Sequence, residues 1–473
     1  MNYQILPFNF ERFDDRSVFV SNYVGEYLLM TNSDFSRFID KTLTEDEDVF
    51  LNLESKQIIC RDHIEDVINM LATKYRTKKS ILNDFTTLHM VVPTLRCNSS
   101  CIYCQVARKN FDDHSCEMSK ETARNVINTI FCSPSPNIKI EFQGGEPVSY
   151  FSMVKFLIEE AELKNAFKRK NLEFVICTNL TLLDEAQVKY LKKHNCYIST
   201  SLDGPECIHN VNRPLQSGEN YIKIFEKQLS MIRDVWGNDD CVSALMTTTK
   251  NSLGHFKEII DEYLRLGFKG IFLRSLNPYG FAKQRKEKIA YSVEEFIESY
   301  KEGLNYIIDL NKRGICFVEG FASLLLKRIL TPFATGFVDL QSPSGVGIAC
   351  AIYDYNGNVY VSDEARMMAR FKNYTFKLGN VNQDSYQSMF NGELMHKITS
   401  SACTECLPGC SYCPYQQYCG ADPVRNTSEQ GDMIGVRSSN EMCKRTKSII
   451  HYLIELLEQH DPEINRIFWS WIR

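Results

Sequence analysis

The sequence predicts an α/β fold around a parallel sheet, flanked by a small N-terminal α+β module and a cysteine-rich C-terminal extension. Two observations carry the central part. Between about residues 86 and 280 six β-rich runs recur, LHMVVPTL, IKIEFQGG, LEFVICTN, YISTSLDG, CVSALMTT and GIFLRSL, and segments of helical period such as KETARNVINTIF, DEAQVKYLKKH and HFKEIIDEYLRLG stand between them. Parallel neighbours need a crossover and the crossover is usually a helix, so this alternation implies βα units. Functional groups then gather at the C-terminal ends of the strands, as they do in α/β barrels.

Three regions follow in order. Residues 1–82 carry strand-like runs (VFVSN, EYLLM, VFLNL) and two helical stretches, DFSRFIDKTL and RDHIEDVINMLATKYRTKKSIL, as a small module. Residues 83–335 hold the βα units and trailing helices, including a charged stretch over residues 284–288. The Pro, Gly and Ser of TPFATGFVDLQSPSGVG break the pattern between 331 and 347, and residues 336–473 form a cysteine-dense extension closed by a helix around Lys447 to Glu458.

At 473 residues, 44% apolar and 24% charged, the composition is globular, and the length excludes a small disulfide-stapled fold. The net charge of -5, from 54 basic and 59 acidic residues, gives no general attraction to nucleic acid or anionic membranes. The start lacks a cationic segment followed by an apolar run, and no stretch approaches the roughly 18 apolar residues of a membrane span, so the expected location is cytoplasmic. Eighteen cysteines in such a chain point to metal or redox chemistry rather than to disulfides.

The first group is Cys97-x3-Cys101-x2-Cys104, directly after the first run. Three thiolates so spaced can hold three corners of an iron–sulfur cubane and leave one iron open; a structural zinc site, which prefers a fourth ligand, is the alternative. Further polar elements end the next three runs: Gln143-Gly144-Gly145-Glu146-Pro147, Cys177-Thr178-Asn179 and Ser201-Leu202-Asp203-Gly204-Pro205. His209-Asn210-Val-Asn-Arg213 follows them. Glycines at 144 and 145 suit a chain that approaches a ligand closely with unusual dihedrals.

With these elements residues 86–280 resemble the radical S-adenosylmethionine (SAM) superfamily, whose hallmark is C-x3-C-x-φ-C after the first strand of a partial (β/α)6 barrel. The resemblance implies a four-iron four-sulfur cluster on Cys97, Cys101 and Cys104 with SAM on its open iron. It further implies that Gly144, Gly145 and Glu146 hold the methionine ammonium, that Asn179 and Ser201 bind ribose or carboxylate, and that Asp203 meets ribose or substrate. Arg213 would clamp the carboxylate through a planar fork. Tyr103 would fill the aromatic slot in the triplet, and Leu276 would cover adenine.

The second group comprises Cys350, Cys403-x2-Cys406-x3-Cys410-x2-Cys413-x5-Cys419 and Cys443. It resembles the SPASM extension of radical enzymes that modify peptides and proteins, which implies an auxiliary four-iron cluster on Cys410, Cys413, Cys419 and Cys443; a pair of zinc sites is the alternative. Two further ligands of that extension are missing, at Gly420-Ala421-Asp422-Pro423 and at Ser362-Asp363. Cys350, Cys403 and Cys406 are thus left either to hold a further cluster with an unusual ligand or to stay free. Asp363 and Glu364 are candidate catalytic residues only because they stand where auxiliary ligands would otherwise be. The remaining cysteines, at 60, 116, 132, 177, 196, 207, 241 and 316, read as buried structural thiols.

PGCSYCPYQQYCGADPVRN followed by QGD resembles the maturase of the His-Xaa-Ser repeat system. That implies a ribosomally made precursor peptide containing such repeats as substrate and a crosslink or other oxidative modification as product. The implied partners are an electron donor such as flavodoxin or ferredoxin and small maturation proteins, with neither nucleic acid nor membrane involved. Residues 1–82 then either bind a leader peptide along a strand edge or cap the barrel. A radical enzyme of a small metabolite and a non-catalytic iron–sulfur or zinc protein are the competing readings.

Overall fold

The computed structural model describes residues 3–104, 108–238, 240–277, 279 and 286–472. It divides into two compact units, one made of residues 1–83, 322–345 and 399–473, the other of residues 84–321 and 346–398.

In the first unit β1 (Gln4–Ile5) awaits a partner late in the module, while β2 (Phe8–Arg12), β3 (Ser17–Asn22) and β4 (Tyr27–Thr31) form an antiparallel sheet in the order β2-β3-β4. β1 pairs with β5 (Ile59–Cys60). Tyr3, Val20, Phe38, Phe50, Leu53 and Ile58 close the core beneath. VFLNL is not the expected strand: Asp48–Ser55 is a helix whose Phe50 and Leu53 point inward three residues apart. So short an apolar run fits either period. Here Glu47, bonded by Arg37 at 2.6 and 2.7 Å and by Thr44 N at 2.7 Å, fixes the helix start. β2 is a strand that the expected runs did not include.

The same strands carry the cysteine loop of this unit. Phe19 stacks on Tyr415 with centroids 4.9 Å apart, Ser21 Oγ donates to Pro414 O at 2.6 Å, and Asn9 Nδ2 donates to Ser411 O at 3.3 Å. The expected C-terminal helix begins earlier, at Glu441, because Asn440 caps it by accepting from Cys443 N, and it runs to Glu458; a second helix spans Pro462–Trp471.

In the second unit β6 (Leu88–Thr94), β7 (Asn137–Gly144), β8 (Asn171–Cys177), β9 (Cys196–Ser201) and β10 (Val242–Leu245) are parallel neighbours. They correspond to the first five expected runs, and helices connect them. The sixth run contributes only β11 (Gly270–Ile271), which pairs in parallel with β12 (Val318–Glu319) rather than with β10. Buried Glu319 finishes that join, accepting from Leu273 N at 3.0 Å and Tyr300 Oη at 2.6 Å. At the opposite edge β13 (Cys350–Tyr353) adds in parallel to β6, and β14 (Asn358–Tyr360) and β15 (Lys377–Asn380) continue antiparallel, giving the order β10-β9-β8-β7-β6-β13-β14-β15. Val91, Val92, Ile140, Phe142, Ile176 and Ile198 are 0–1% exposed, so the sheet is buried in the manner of a parallel sheet covered by helices. Residues 284 and 285 of the charged stretch lie outside the described residues. Among the described residues no helix is long and apolar enough to cross a membrane.

Candidate functional site

The C-terminal ends of β6 to β10 open onto one cavity of about 250 Å³. Cys97, Cys101, Tyr103 and Cys104 line it from the loop after β6, Gly144, Gly145 and Glu146 from the end of β7, Asn179 from that of β8, Ser201 from that of β9, and Arg213 from the segment beyond. Asp203 and Leu276 stand outside that lining.

The cysteine loop is held from behind. Ser100 N donates to Pro214 O at 2.7 Å, Ile102 N to Asn212 O at 2.9 Å, and Gln216 Nε2 to Cys97 O at 2.8 Å. Asn179 Nδ2 donates to Asn98 Oδ1 at 2.8 Å and Ser99 Oγ at 3.0 Å, so this side chain also fastens the loop. Burial, reinforced by the neighbouring cysteines, pushes the Cys97 thiol well up; Cys101 is pushed up to about 11 by burial, against the pull of Arg213. Sulfurs so placed ionise only against a cation, which is the donor chemistry of an iron cluster. Among the described residues no three His, Cys, Asp or Glu side chains are gathered as for a single metal ion.

Gly144 has φ of +131°, and a Cβ there would lie 2.3 Å from Thr94 O; at Gly145 it would lie 2.2 Å from Arg96 O. The glycines are therefore required because β7 ends against the backbone that begins the cysteine loop, a closer constraint than approach to a ligand. Glu146, 1% exposed, accepts from Thr178 Oγ1 at 2.7 Å, Asn179 N at 2.8 Å and Val148 N at 3.1 Å. Burial nevertheless raises its carboxyl to about 7.

Asp203 lies behind the wall, fully buried. It accepts from Tyr103 Oη at 2.5 Å, Asn212 Nδ2 at 3.2 Å and Thr247 N at 3.2 Å, and pairs with Arg213 Nε at 3.2 Å. The Arg213 guanidinium also rests 5.1 Å from the Tyr103 ring centre. Leu276 packs with Ile102 against Tyr103 and Ile289. Thus Asp203 orients a ring and a guanidinium that do face the cavity.

Asp363 lines the cavity and accepts from Arg366 Nε and Nη2 at 3.1 and 3.0 Å, whereas Glu364 is not in the lining. Sequence reasoning passed over Arg274, Thr247, Met367 and Cys177 on the same wall. Cys177, read as a structural thiol, donates to Glu141 Oε1 at 3.2 Å; its place beside Thr178 and Asn179 was the available signal. Of the other thiols so read, Cys132, Cys207 and Cys316 are exposed rather than buried.

In the first unit Cys410, Cys413, Cys419 and Cys443 line a separate cavity of about 40 Å³. Burial raises all four thiols, Cys413 to about 11, and Cys419 is raised further by the other three. Cys403 Sγ instead donates to Glu405 Oε2 at 3.2 Å, and Cys406 is exposed. Burial would raise Glu405, but Lys79 and hydrogen bonds from Lys79 and Ser342 bring it down to about 2. Cys350 belongs to the other unit, buried in β13, and donates to Val361 O at 3.4 Å. Cys403 and Cys350 thus bond to different partners.

Residues 91–263 match the radical SAM superfamily. The chain therefore carries a radical SAM domain followed by a SPASM-like extension, and the cofactors of this class are a four-iron four-sulfur cluster and SAM. Among its relatives, the cysteine-type anaerobic sulfatase-maturating enzyme of Clostridium perfringens (strain 13 / Type A) is 24% identical over 377 residues, 75% of this chain and 93% of that protein. The radical SAM cyclopropyl synthase TigE of Paramaledivibacter caminithermalis is 23% identical over 361 residues, 71% of this chain and 70% of that protein. The solved structure of native anSMEcpe with bound AdoMet shares the fold with a TM-score of 0.65 at 18% identity, covering 79% of this chain and all of that one. Streptococcus suis SuiB bound to precursor peptide SuiA does so with a TM-score of 0.54 at 13% identity, covering 94% of this chain and all of that one.

Proposed function

We propose that this radical SAM enzyme is a maturase of a ribosomally synthesised peptide and installs a crosslink or another oxidative modification. The observation that carries the reading is the convergence of Cys97, Cys101, Cys104, Glu146, Ser201 and Arg213 on one cavity at successive strand ends. When bound, the reduced cluster and SAM supply a 5'-deoxyadenosyl radical, and the protein's part is to bind, orient and exclude water. Cys97, Cys101 and Cys104 hold three corners of the cluster. The Arg213 fork takes the cofactor's carboxylate, Glu146 accepts its amino group, and Ser201 meets its ribose. Asp203 keeps Tyr103 and Arg213 in place, and Asn179 steadies the cysteine loop. Asp363 is the group on the wall placed to accept a proton from substrate.

The peptide assignment is supported by the named relatives: one matures a sulfatase, and SuiB was solved with a precursor peptide bound. The finer substrate, a His-Xaa-Ser repeat peptide, and a flavodoxin- or ferredoxin-like electron donor belong to the same proposal, as does an auxiliary cluster on Cys410, Cys413, Cys419 and Cys443. The test is anaerobic reconstitution with the peptide encoded beside the enzyme and mass measurement of the product. A loss of two hydrogens supports the reading. Turnover of SAM with an unmodified peptide points to a small-metabolite substrate instead.

A further inference from the structure

Every carboxylate on or just behind the wall of the reaction cavity already has donors within the protein. Asp363 is held by two nitrogens of Arg366, Asp203 by Tyr103 and Arg213, and Glu146 by three donors. The cations differ. Arg108 donates to Ser100 Oγ at 2.7 Å, and Arg213 has Asp203. Arg274, which follows β11, lines the cavity partly buried, and among the described residues its side chain has neither a hydrogen bond nor an ion pair; only its carbonyl is engaged, by Thr248 N at 2.9 Å.

A guanidinium on a cavity wall with no partner of its own keeps its donors available to a ligand, and a planar fork of donors suits a carboxylate. We infer that Arg274 binds a carboxylate carried by the substrate, on an acidic side chain or at a chain terminus, and so fixes which residue meets the reactive centre. The inference rests on the reading of this cavity as the reaction site and adds a substrate class to it. The cofactor also bears a carboxylate, but Arg213 already stands at the cysteine loop, over Tyr103, to receive it. Positioning of this kind matters because a radical that attacks unactivated C–H bonds takes its regiochemistry from geometry.

The test uses cluster-loaded enzyme with SAM and three probes: Nα-acetylglutamate amide, with a side-chain carboxylate; Nα-acetylglutamine, with a terminal one; and Nα-acetylglutamine amide, with none. One of the two acids should bind about tenfold to a hundredfold more tightly than the neutral amide, as one charge-assisted contact warrants. Arg274→Gln should abolish the preference, and Arg274→Lys should keep a reduced one, which also covers the case in which the Gln variant loses its cluster. The inference is overturned if the three probes bind alike, or if the preference survives Arg274→Gln. It is also overturned if that variant weakens SAM at least tenfold, which would make the cofactor the carboxylate's source. Failure of the underlying reading would look different: deoxyadenosine formation would survive loss of Cys101 whatever the probes do.

Discussion

Replacing Asp203 by Asn isolates the device that orients the cavity-facing Tyr103 and Arg213. The buried carboxylate holds Tyr103 at 2.5 Å, Asn212 and Thr247 at 3.2 Å, and Arg213 Nε at 3.2 Å. An amide keeps one oxygen: with that oxygen toward Tyr103, Asn212 and Arg213 its NH2 meets Thr247 N, and turned the other way its NH2 meets Asn212 Nδ2 and Arg213 Nε, so donor faces donor in either case and the charge that paired Arg213 is gone. Each lost charge-assisted bond is worth about 1.5–3 kcal/mol, and a buried ion missing its partner costs about 3–5 kcal/mol. Part of that loss is returned by movement of Arg213, which then no longer presents its fork. Asp203→Asn should therefore raise the dissociation constant for SAM about tenfold to a hundredfold, measured by equilibrium dialysis on cluster-loaded protein of verified iron content. Arg213→Lys should do the same, because Lys keeps the charge and loses the paired contacts. Since both substitutions break one arrangement, the double variant should lose little more than either single one, a coupling of about 1–3 kcal/mol in the cycle. Strict additivity, or an unchanged constant in Asp203→Asn, refutes the positioning role.

Three further outcomes follow from the same geometry. Burial raises the Glu146 carboxyl from 4.5 to about 7, so the apoprotein loses stability as pH rises between those values, and an amino group bound there must draw the proton off. Affinity for SAM should fall about tenfold for each pH unit below about 7 in the wild type, and titration of Glu146→Gln alongside should show that part of the dependence gone. Reconstituted protein should hold about eight irons per chain, from the triplet and from Cys410, Cys413, Cys419 and Cys443; about twelve would add a cluster at Cys350, Cys403 and Cys406, and about four with zinc would assign the C-terminal cavity to zinc. Deleting residues 1–82 should lower the iron to about four, because Phe19, Ser21 and Asn9 support the Tyr415 and Cys410–Cys413 region; eight irons in the truncated protein would show that this support is dispensable. Leader binding is better probed by Phe10→Glu, since Phe10 is 52% exposed on β2.

The βα alternation was legible because its periods are local: β6 and β10 fall within expected runs, and β7, β8 and β9 each begin one residue before theirs. So were the cavity residues at strand ends, since strand direction alone brings Cys97, Glu146, Asn179 and Ser201 to one side of the sheet. What escaped was set by contacts distant in sequence. β13 joins β6 from residue 350 onward, and nothing in CAIY specifies that partner. Asp203 looked like a ligand residue, but Tyr103, a hundred positions earlier, claims its carboxylate. Likewise Asn179 spends its amide on Asn98 and Ser99. The misread VFLNL shows the other limit, an apolar run too short for its period to be decided without Glu47 and its partners.

The central claim is that the cavity at the ends of β6 to β10 cleaves SAM reductively through the three cysteines of its first loop. Formation of 5'-deoxyadenosine by anaerobically reconstituted, dithionite-reduced protein tests it, with Cys97→Ala, Cys101→Ala and Cys104→Ala beside the wild type. The account predicts deoxyadenosine from the wild type and none from any of the three variants, each keeping the irons of the C-terminal site. Wild-type amounts from any one of them would contradict it.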